Sequence, residues 1–283
     1  MLERFLPEDR RLRALVIGAA TVVLLLVITQ LVMPGRGGGR GTPAAVLFDG
    51  FVKGCAAAIT TVGIVFVYRT MRIINFAVVA MGIAGTILVF ELTQFTAVPF
   101  PISLTLGIAL SALIGTSMAL ILLRFYNSSR LYLTVVTIIG AGTIAGFSPY
   151  VTSLPFFPTR QERTSADDQL SQDPGRLLPF RGLRFHVGSF PFDFGFRHLL
   201  ALELFVFAMV GLFLFLRYSK AGTAIRALAE NSERASLLGI GVGGMSLIVW
   251  TIAGALAGAG VIANAAVTSP GAATGIGINV LLG

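Results

Sequence analysis

The feature that most constrains this chain is a series of long apolar stretches, several of them without a single charged residue. Ala14–Met33 is 20 residues long and Ile73–Phe90 is 18 residues long. A helix rises ~1.5 Å per residue, so about 20 residues cross a hydrocarbon layer ~30 Å thick. The sequence therefore predicts an all-α fold, a polytopic protein built from transmembrane helices.

Seven to eight spans account for most of the 283 residues. Proline lacks an amide hydrogen and restricts the residue before it, so Pro99 and Pro101 place the start of the fourth span near Ile102. The chain reaches Gly283 in an apolar stretch without a polar anchor, and we expect C-terminal spans to be missing from this sequence. The predicted spans are residues 14–33, 46–67, 73–90, 102–124, 131–151, 199–216 and 239–264, and another apolar stretch begins after residue 271.

Changes in composition divide the chain into two regions. Residues 1–46 combine a basic N-terminus, an anchor helix and a glycine-rich linker, whereas residues 47–283 form the main transmembrane domain. Within that domain, residues 152–197 form a long polar loop, in which alternating apolar residues predict a short hairpin. Residues 217–239 form a second polar loop.

The distribution of basic residues sets the predicted orientation. Short loops on one side contain 12 arginines and lysines, and those on the other contain only Arg36 and Arg40. Cytoplasmic loops carry such an excess, and long loops are left out of the count. The N-terminus and the loop 217–239 are therefore predicted to be cytoplasmic, and the loop 152–197 external. The same distribution explains the net charge of +8, so nucleic acid is not an expected partner.

Few side chains in the sequence suggest chemistry. The single cysteine, Cys55, has no second thiol for a disulfide or a zinc site, and His186 and His198 are expected to be hydrogen-bonded surface groups. No acidic residue is predicted near the middle of a span, which argues against a proton- or sodium-driven carrier. Four ionisable residues are predicted at the outer ends of spans, where we expect them to be interfacial: Asp49, Lys53, Glu91 and Glu203. Two pairs of glycines have the spacing of close helix packing: Gly142 with Gly146, and Gly254 with Gly258.

The loop 217–239 is the most informative polar segment. It predicts two short helices with Ser219 and Ser232 at their N-terminal caps and Gly239 just after the second. The second helix combines an apolar strip with the charged residues Glu233 and Arg234. Such a helix could dock into a groove on a soluble partner or lie on the bilayer surface as an amphipathic connector. The pattern alone leaves both readings open. The apolar strip is Ala235, Leu237 and Leu238.

This segment resembles the cytoplasmic loop of permease subunits in ATP-binding-cassette importers, in which Glu-Ala-Ala is followed by three residues and Gly. Here the signature reads Glu233 to Gly239, with Arg234 in place of the central alanine. More narrowly, residues 222–231 and 68–77 are similar to the branched-chain amino acid permease family. The family's His-Gly after Asn-Phe-Ala is replaced by Val78 and Val79, so no role of that histidine is carried over.

The resemblance implies a bacterial plasma-membrane subunit that forms half of a translocation pathway for branched-chain or related hydrophobic amino acids. It implies a second permease subunit, two ATPase subunits and an extracytoplasmic substrate-binding protein as partners. The chain itself has only two lysines, Lys53 and Lys220, and neither follows a glycine, so it lacks a phosphate-binding loop of its own. No metal and no cofactor are expected in this chain, and ATP would be bound by the partner subunits.

By the same resemblance, residues of the cytoplasmic loop would couple the pathway to the ATPases, and Asn75 and Phe76, beside a break between spans, are candidate pathway residues. Two alternatives remain: an ATP-independent secondary carrier or channel, and a permease of the same type for urea or short amides. The candidate coupling residues are Arg226, Glu233, Arg234, Ala235, Leu238 and Gly239.

Overall fold

The computed structural model describes residues 44–95, 98–125, 128–152, 183–187, 190–194 and 196–268. The predicted anchor helix 14–33, its linker and the apolar stretch after residue 271 lie outside the described residues, as does most of the loop 152–197. The chain divides into two compact units. One comprises residues 1–50 and 184–192, and the other residues 51–183 and 193–283.

The described residues form eight helices and one hairpin. Five helices are long and apolar enough to cross a membrane, and the apolar stretch Val78–Thr93 of α2 is shorter. The prediction of a helical, polytopic membrane protein is confirmed. The elements are α1 (Ala44–Met71), α2 (Val78–Phe95), α3 (Phe100–Arg124), α4 (Arg130–Thr152), β1 (Leu183–Val187), β2 (Phe190–Phe194), α5 (Phe196–Tyr218), α6 (Lys220–Glu230), α7 (Ser232–Leu237) and α8 (Val242–Thr268).

Helix boundaries differ from the predicted spans by up to five residues. The third span begins at Val78 and not at Ile73, because residues 72–77 leave the helical conformation between α1 and α2. The fourth begins at Phe100, with Pro101 in its first turn. Proline is tolerated there because the first amides of a helix have no intrahelical acceptor.

Helix α8 is the centre of the unit formed by residues 51–183 and 193–283. It packs against α2, α3 and α5, and Gly63 and Gly260 bring α1 and α8 together. Trp250 of α8 is buried in a core that includes Phe66 and Met118. Helices α4 and α5 are far less buried than α8. The bundle is therefore organised around the last described helix.

Small residues allow α3 and α8 to approach closely. A Cβ atom on Gly254 would lie 3.1 Å from the Cα atoms of Ala112 and Gly115, and one on Gly258 would lie 2.7 Å from the Cβ atom of Ser111. The predicted packing role of Gly254 and Gly258 is confirmed. For Gly142 and Gly146 it stays a prediction, since added Cβ atoms there would meet nothing within 4 Å among the described residues. The two pairs share the same spacing, and only the position of each helix in the bundle separates them.

The two strands β1 and β2 pair with each other and form a two-stranded sheet. This pairing confirms the hairpin that the alternating apolar residues predicted within the loop 152–197.

Candidate functional site

The polar segment after α5 folds into a bent element, here called the elbow and comprising residues 219–240. Ser219 has extended backbone angles, and its hydroxyl accepts a hydrogen bond from the amide of Gly222 at 2.8 Å. This is the N-terminal cap that the sequence predicted for α6. An added Cβ on Gly222 would lie 2.7 Å from the Cα of Leu216, so α6 turns directly back on the end of α5.

Asn231 forms the corner between α6 and α7. Its amide donates to the carbonyl of Ala227 at 3.0 Å, which ends α6, and its side-chain Oδ1 accepts from the amide of Arg234 at 3.0 Å, which begins α7. The predicted capping role of Ser232 is therefore wrong, because Asn231 has the extended conformation of a cap and Ser232 is already helical.

Gly239 ends α7 in a left-handed conformation with φ of 83°. The amide of Gly239 donates to Ser236 at 3.0 Å, and the amide of Ile240 donates to Ala235 at 3.1 Å. These two hydrogen bonds form the Schellman motif, which glycine allows because it carries no Cβ. Both ends of the elbow are thus fixed by local hydrogen bonds.

The elbow has one face buried on the bundle and one face exposed. Gly222, Ile225 and Leu228 of α6 are buried, and Ala235 of α7 is 2% exposed. The predicted apolar strip is split, because Ala235 faces inwards whereas Leu237 and Leu238 are 86% and 81% exposed. The remaining candidate coupling residues, Arg226, Glu233, Arg234 and Gly239, are exposed.

The second candidate region is the loop 72–77 between α1 and α2. Arg72 has a positive φ of 58°, and its amide donates to Tyr68 at 2.8 Å, which closes α1 with a left-handed residue. Asn75 is 2% exposed, and its Oδ1 accepts from the amide of Ala77 at 2.9 Å, while its Nδ2 has no hydrogen-bond partner among the described residues. Phe76, by contrast, has an exposed side chain.

Thr137 of α4 holds this loop in place, a role that was not predicted from the sequence. Its buried hydroxyl lies 3.2 Å from the carbonyl of Ile74 and 2.7 Å from that of Thr134, and it accepts from the amide of Phe76 at 3.3 Å. Thr137 and Phe76 are 61 residues apart. A threonine within an apolar span gives no local signal for such a contact.

One cavity of about 460 Å³ brings the elbow and the loop 72–77 together. Its lining includes Arg72 and Ile73 from the loop and Glu230 to Glu233 from the elbow. The ends of α1 and α3, Ser128, the start of α4, the end of α6 and the first part of α8 complete its wall, with the buried Trp250 at its inner side. Asn75, Phe76 and the exposed residues Leu238 and Gly239 do not line it.

Two residues expected near the surface are instead buried. Glu91 of α2 and His198 of α5 are each 2% exposed, although the sequence placed both at the ends of spans. The helices continue past them, α2 to Phe95 and α5 from Phe196, so neighbouring side chains can cover them. Glu203, in contrast, is exposed as an interfacial residue would be.

Comparisons with known proteins agree on one family. A family model described as branched-chain amino acid transport system, permease component, matches residues 46–282. A Methanocaldococcus jannaschii protein named probable branched-chain amino acid transport permease protein LivH is 29% identical over 164 residues, 52% of this chain and 52% of that protein. The match thus spans about half the length of that relative. No solved structure matches the chain.

Proposed function

This chain belongs to the family of branched-chain amino acid transport system permease components, and we propose that it is the permease subunit of an ATP-driven importer. In this role it forms half of the translocation pathway for branched-chain or related hydrophobic amino acids. The observation that carries the proposal is the elbow, whose capped helices bury one face on the bundle and leave Leu237 and Leu238 exposed on the other.

The exposed face of α7 suits a protein partner. Leu237 and Leu238 leave two large apolar side chains in the open beside Glu233 and Arg234. Exposed apolar groups rimmed by charges are typical of interaction sites, and short helices commonly dock into grooves through such a face. We propose that the groove receiving α7 belongs to an ATPase subunit. That subunit would also supply the nucleotide-binding site.

The buried face of the elbow would transmit a movement of α7 to the rest of the bundle. Ile225 packs into the same core as Trp250 and Ile73, and Glu230 to Glu233 share a cavity with Arg72. A displacement of α7 would therefore reach the loop 72–77 and the start of α8. Such coupling requires the ATPase to bind the two conformations of the permease with different affinities.

The remaining features of the proposed importer follow from the family and from the charge pattern. The chain pairs with a like or homologous permease, binds two ATPase subunits that hold ATP, and receives substrate from an extracytoplasmic binding protein. We place it in a bacterial plasma membrane with a cytoplasmic N-terminus. The cavity supports this orientation, because helix ends carrying Arg72 and Arg130 meet the elbow at one end of the bundle.

Copurification and flux test the proposal together. The chain is coexpressed with ATPase and permease subunits, which we expect its neighbouring genes to encode, and a tagged ATPase should recover it from detergent extracts. Leu238→Asp should reduce that recovery, whereas Leu131→Asp, an exposed leucine of α4 outside the elbow, should not. Reconstituted assemblies should import leucine only with ATP. Leucine flux that persists without ATP would instead identify a secondary carrier or channel.

Labelling tests the orientation separately. In a Cys55→Ala background the chain has no other cysteine, so Ser236→Cys introduces one exposed thiol on α7. A membrane-impermeant maleimide should modify it in inside-out vesicles and not in intact cells. Labelling of intact cells would place the elbow outside and would refute the coupling role.

A further inference from the structure

The cavity between the elbow and the loop 72–77 has the dimensions of a ligand site. Its volume of about 460 Å³ lies within the range of small-molecule pockets, about 300–1,000 Å³. Its wall combines apolar side chains with groups that carry both signs of charge. The apolar part includes Leu122, Leu133, Val242 and Trp250.

The bundle side of the cavity supplies the positive charges. Arg72 comes from the loop and Arg130 from the first turn of α4, so two arginines from separate elements line one cavity. Arg72 adopts a left-handed conformation that is costly for a residue with a Cβ, since glycine would take it freely. Such backbone strain is concentrated at ligand sites and switch regions. Guanidinium groups are well suited to bind carboxylates.

The elbow side supplies the negative charges. Glu230 ends α6 and Glu233 lies in the first turn of α7, and both line the cavity. Asn231 and Ser232 lie between them and add neutral polar groups to the same side. An ammonium group would find two carboxylates here, and no lysine or arginine of the elbow lines this part of the wall.

We propose that this cavity binds a hydrophobic amino acid as its zwitterion, with the carboxylate towards Arg72 and Arg130, the ammonium group towards Glu230 and Glu233, and the side chain towards the apolar wall at Trp250. The proposal rests on the proposed function for its choice of ligand. It adds a site between the elbow and the bundle, which shares Glu233 with the docking face of α7 but does not include Leu237 or Leu238. Because the ligand contacts the elbow and the bundle together, it binds at the joint through which an ATPase would act.

The chain carries its own reporter for this site. Trp250 is its single tryptophan, and it lines the cavity. For the purified chain in detergent micelles, leucine at millimolar concentrations should change the tryptophan emission in a saturable way. Leucinol, which lacks the carboxylate, and 4-methylpentanoate, which lacks the ammonium group, should each bind on the order of tenfold more weakly, since each loses a charge-assisted contact.

Charge variants test the bundle side and the elbow side of the cavity independently. Arg72→Gln and Arg130→Gln should weaken leucine binding on the order of tenfold and leave the response to leucinol unchanged. Glu230→Gln should weaken leucine binding and leave the response to 4-methylpentanoate unchanged. Arg124→Gln and Glu203→Gln are matched controls, because both residues are exposed and neither lines the cavity.

The outcomes separate this inference from the proposed function. The site is refuted if leucine leaves Trp250 emission unchanged, if the three probes bind equally, or if the wall variants bind leucine as tightly as the controls. If the assembled importer transports leucine while Trp250 does not respond, the proposed function is supported and the proposed binding site is refuted. If Trp250 responds as described but no ATP-dependent import occurs, the binding site is supported and the proposed importer function is refuted.

Discussion

The crossing of α3 and α8 allows a quantitative test of the packing on which the bundle depends. In Gly254→Ala, the added Cβ would lie 3.1 Å from the Cα atoms of Ala112 and Gly115 and closer still to the carbonyl oxygen of Ser111. Ordinary contacts begin at about 3.4 Å, so the two helices must separate by several tenths of an ångström or more. Overpacking of this kind costs about 1–3 kcal/mol.

Gly142→Ala is the matched control, because it adds the same methyl group to another membrane-spanning helix at a position where no atom of the described residues lies within 4 Å. A change of 1 kcal/mol shifts the melting temperature of a chain of this size by about 2–4 °C, so Gly254→Ala should melt roughly 2–12 °C below the parent. Gly142→Ala should melt no lower than the parent, since alanine is the better helix former.

The assay is heating of the detergent-solubilised chain followed by size-exclusion chromatography with fluorescence detection. Gly115→Ala should behave like Gly254→Ala, since each glycine faces the other. The double variant should lose less in melting temperature than the two single variants together, because one separation of the helices relieves both contacts. Equal melting temperatures for Gly254→Ala and Gly142→Ala would refute the close crossing.

Three further predictions concern the loop 72–77 and the elbow. Arg72→Gly should stabilise the chain by about 1 kcal/mol by relieving the left-handed conformation, and a melting temperature that does not rise would contradict the strain. Thr137→Val should destabilise it by about 1–3 kcal/mol, because the partly buried amide of Phe76 loses its acceptor, whereas Thr143→Val breaks only a bond within its own exposed turn; similar melting temperatures would contradict the role of Thr137 in holding the loop. Gly239→Ala should destabilise the elbow by about 1–2 kcal/mol, because alanine adopts the left-handed conformation at a cost, and should therefore accelerate amide hydrogen exchange there. Gly241→Ala should leave the exchange rates unchanged. Equal exchange rates in both variants would argue against the left-handed cap.

Local patterns predicted the membrane spans and part of the elbow. Apolar stretches of sufficient length determine which segments can cross a bilayer, so most helices begin and end within a few residues of the predicted limits. Ser219 and Gly239 were found in advance because a cap depends on a side chain or a backbone angle within one turn. The prediction of Ser232 as the cap of α7 was wrong because serine and asparagine are almost equally good caps, and Asn231 and Ser232 are adjacent.

Contacts between distant segments could not be predicted in this way. Thr137 reaches a loop 61 residues away, and nothing in its own span marks it. Gly254 and Gly142 have identical local spacing, yet within the described part of the chain Gly254 faces a neighbouring helix and Gly142 does not. The burial of Glu91 likewise depends on which helices surround α2. The cavity joins residues from six helices and from the segments that connect them, so its mixed charge becomes visible only in three dimensions.

The central position of α8 has a consequence for biogenesis. Helices α1, α2 and α3 leave the ribosome before α8, and each has a small-residue face that α8 covers, at Gly63, Gly82 and Gly115. Nascent chains fold from the N-terminus, so these faces meet lipid or an insertase until residue 268 has been synthesised. A ribosome stalled before α8 would leave an inserted but loosely associated intermediate, which membrane proteases could distinguish from the finished bundle.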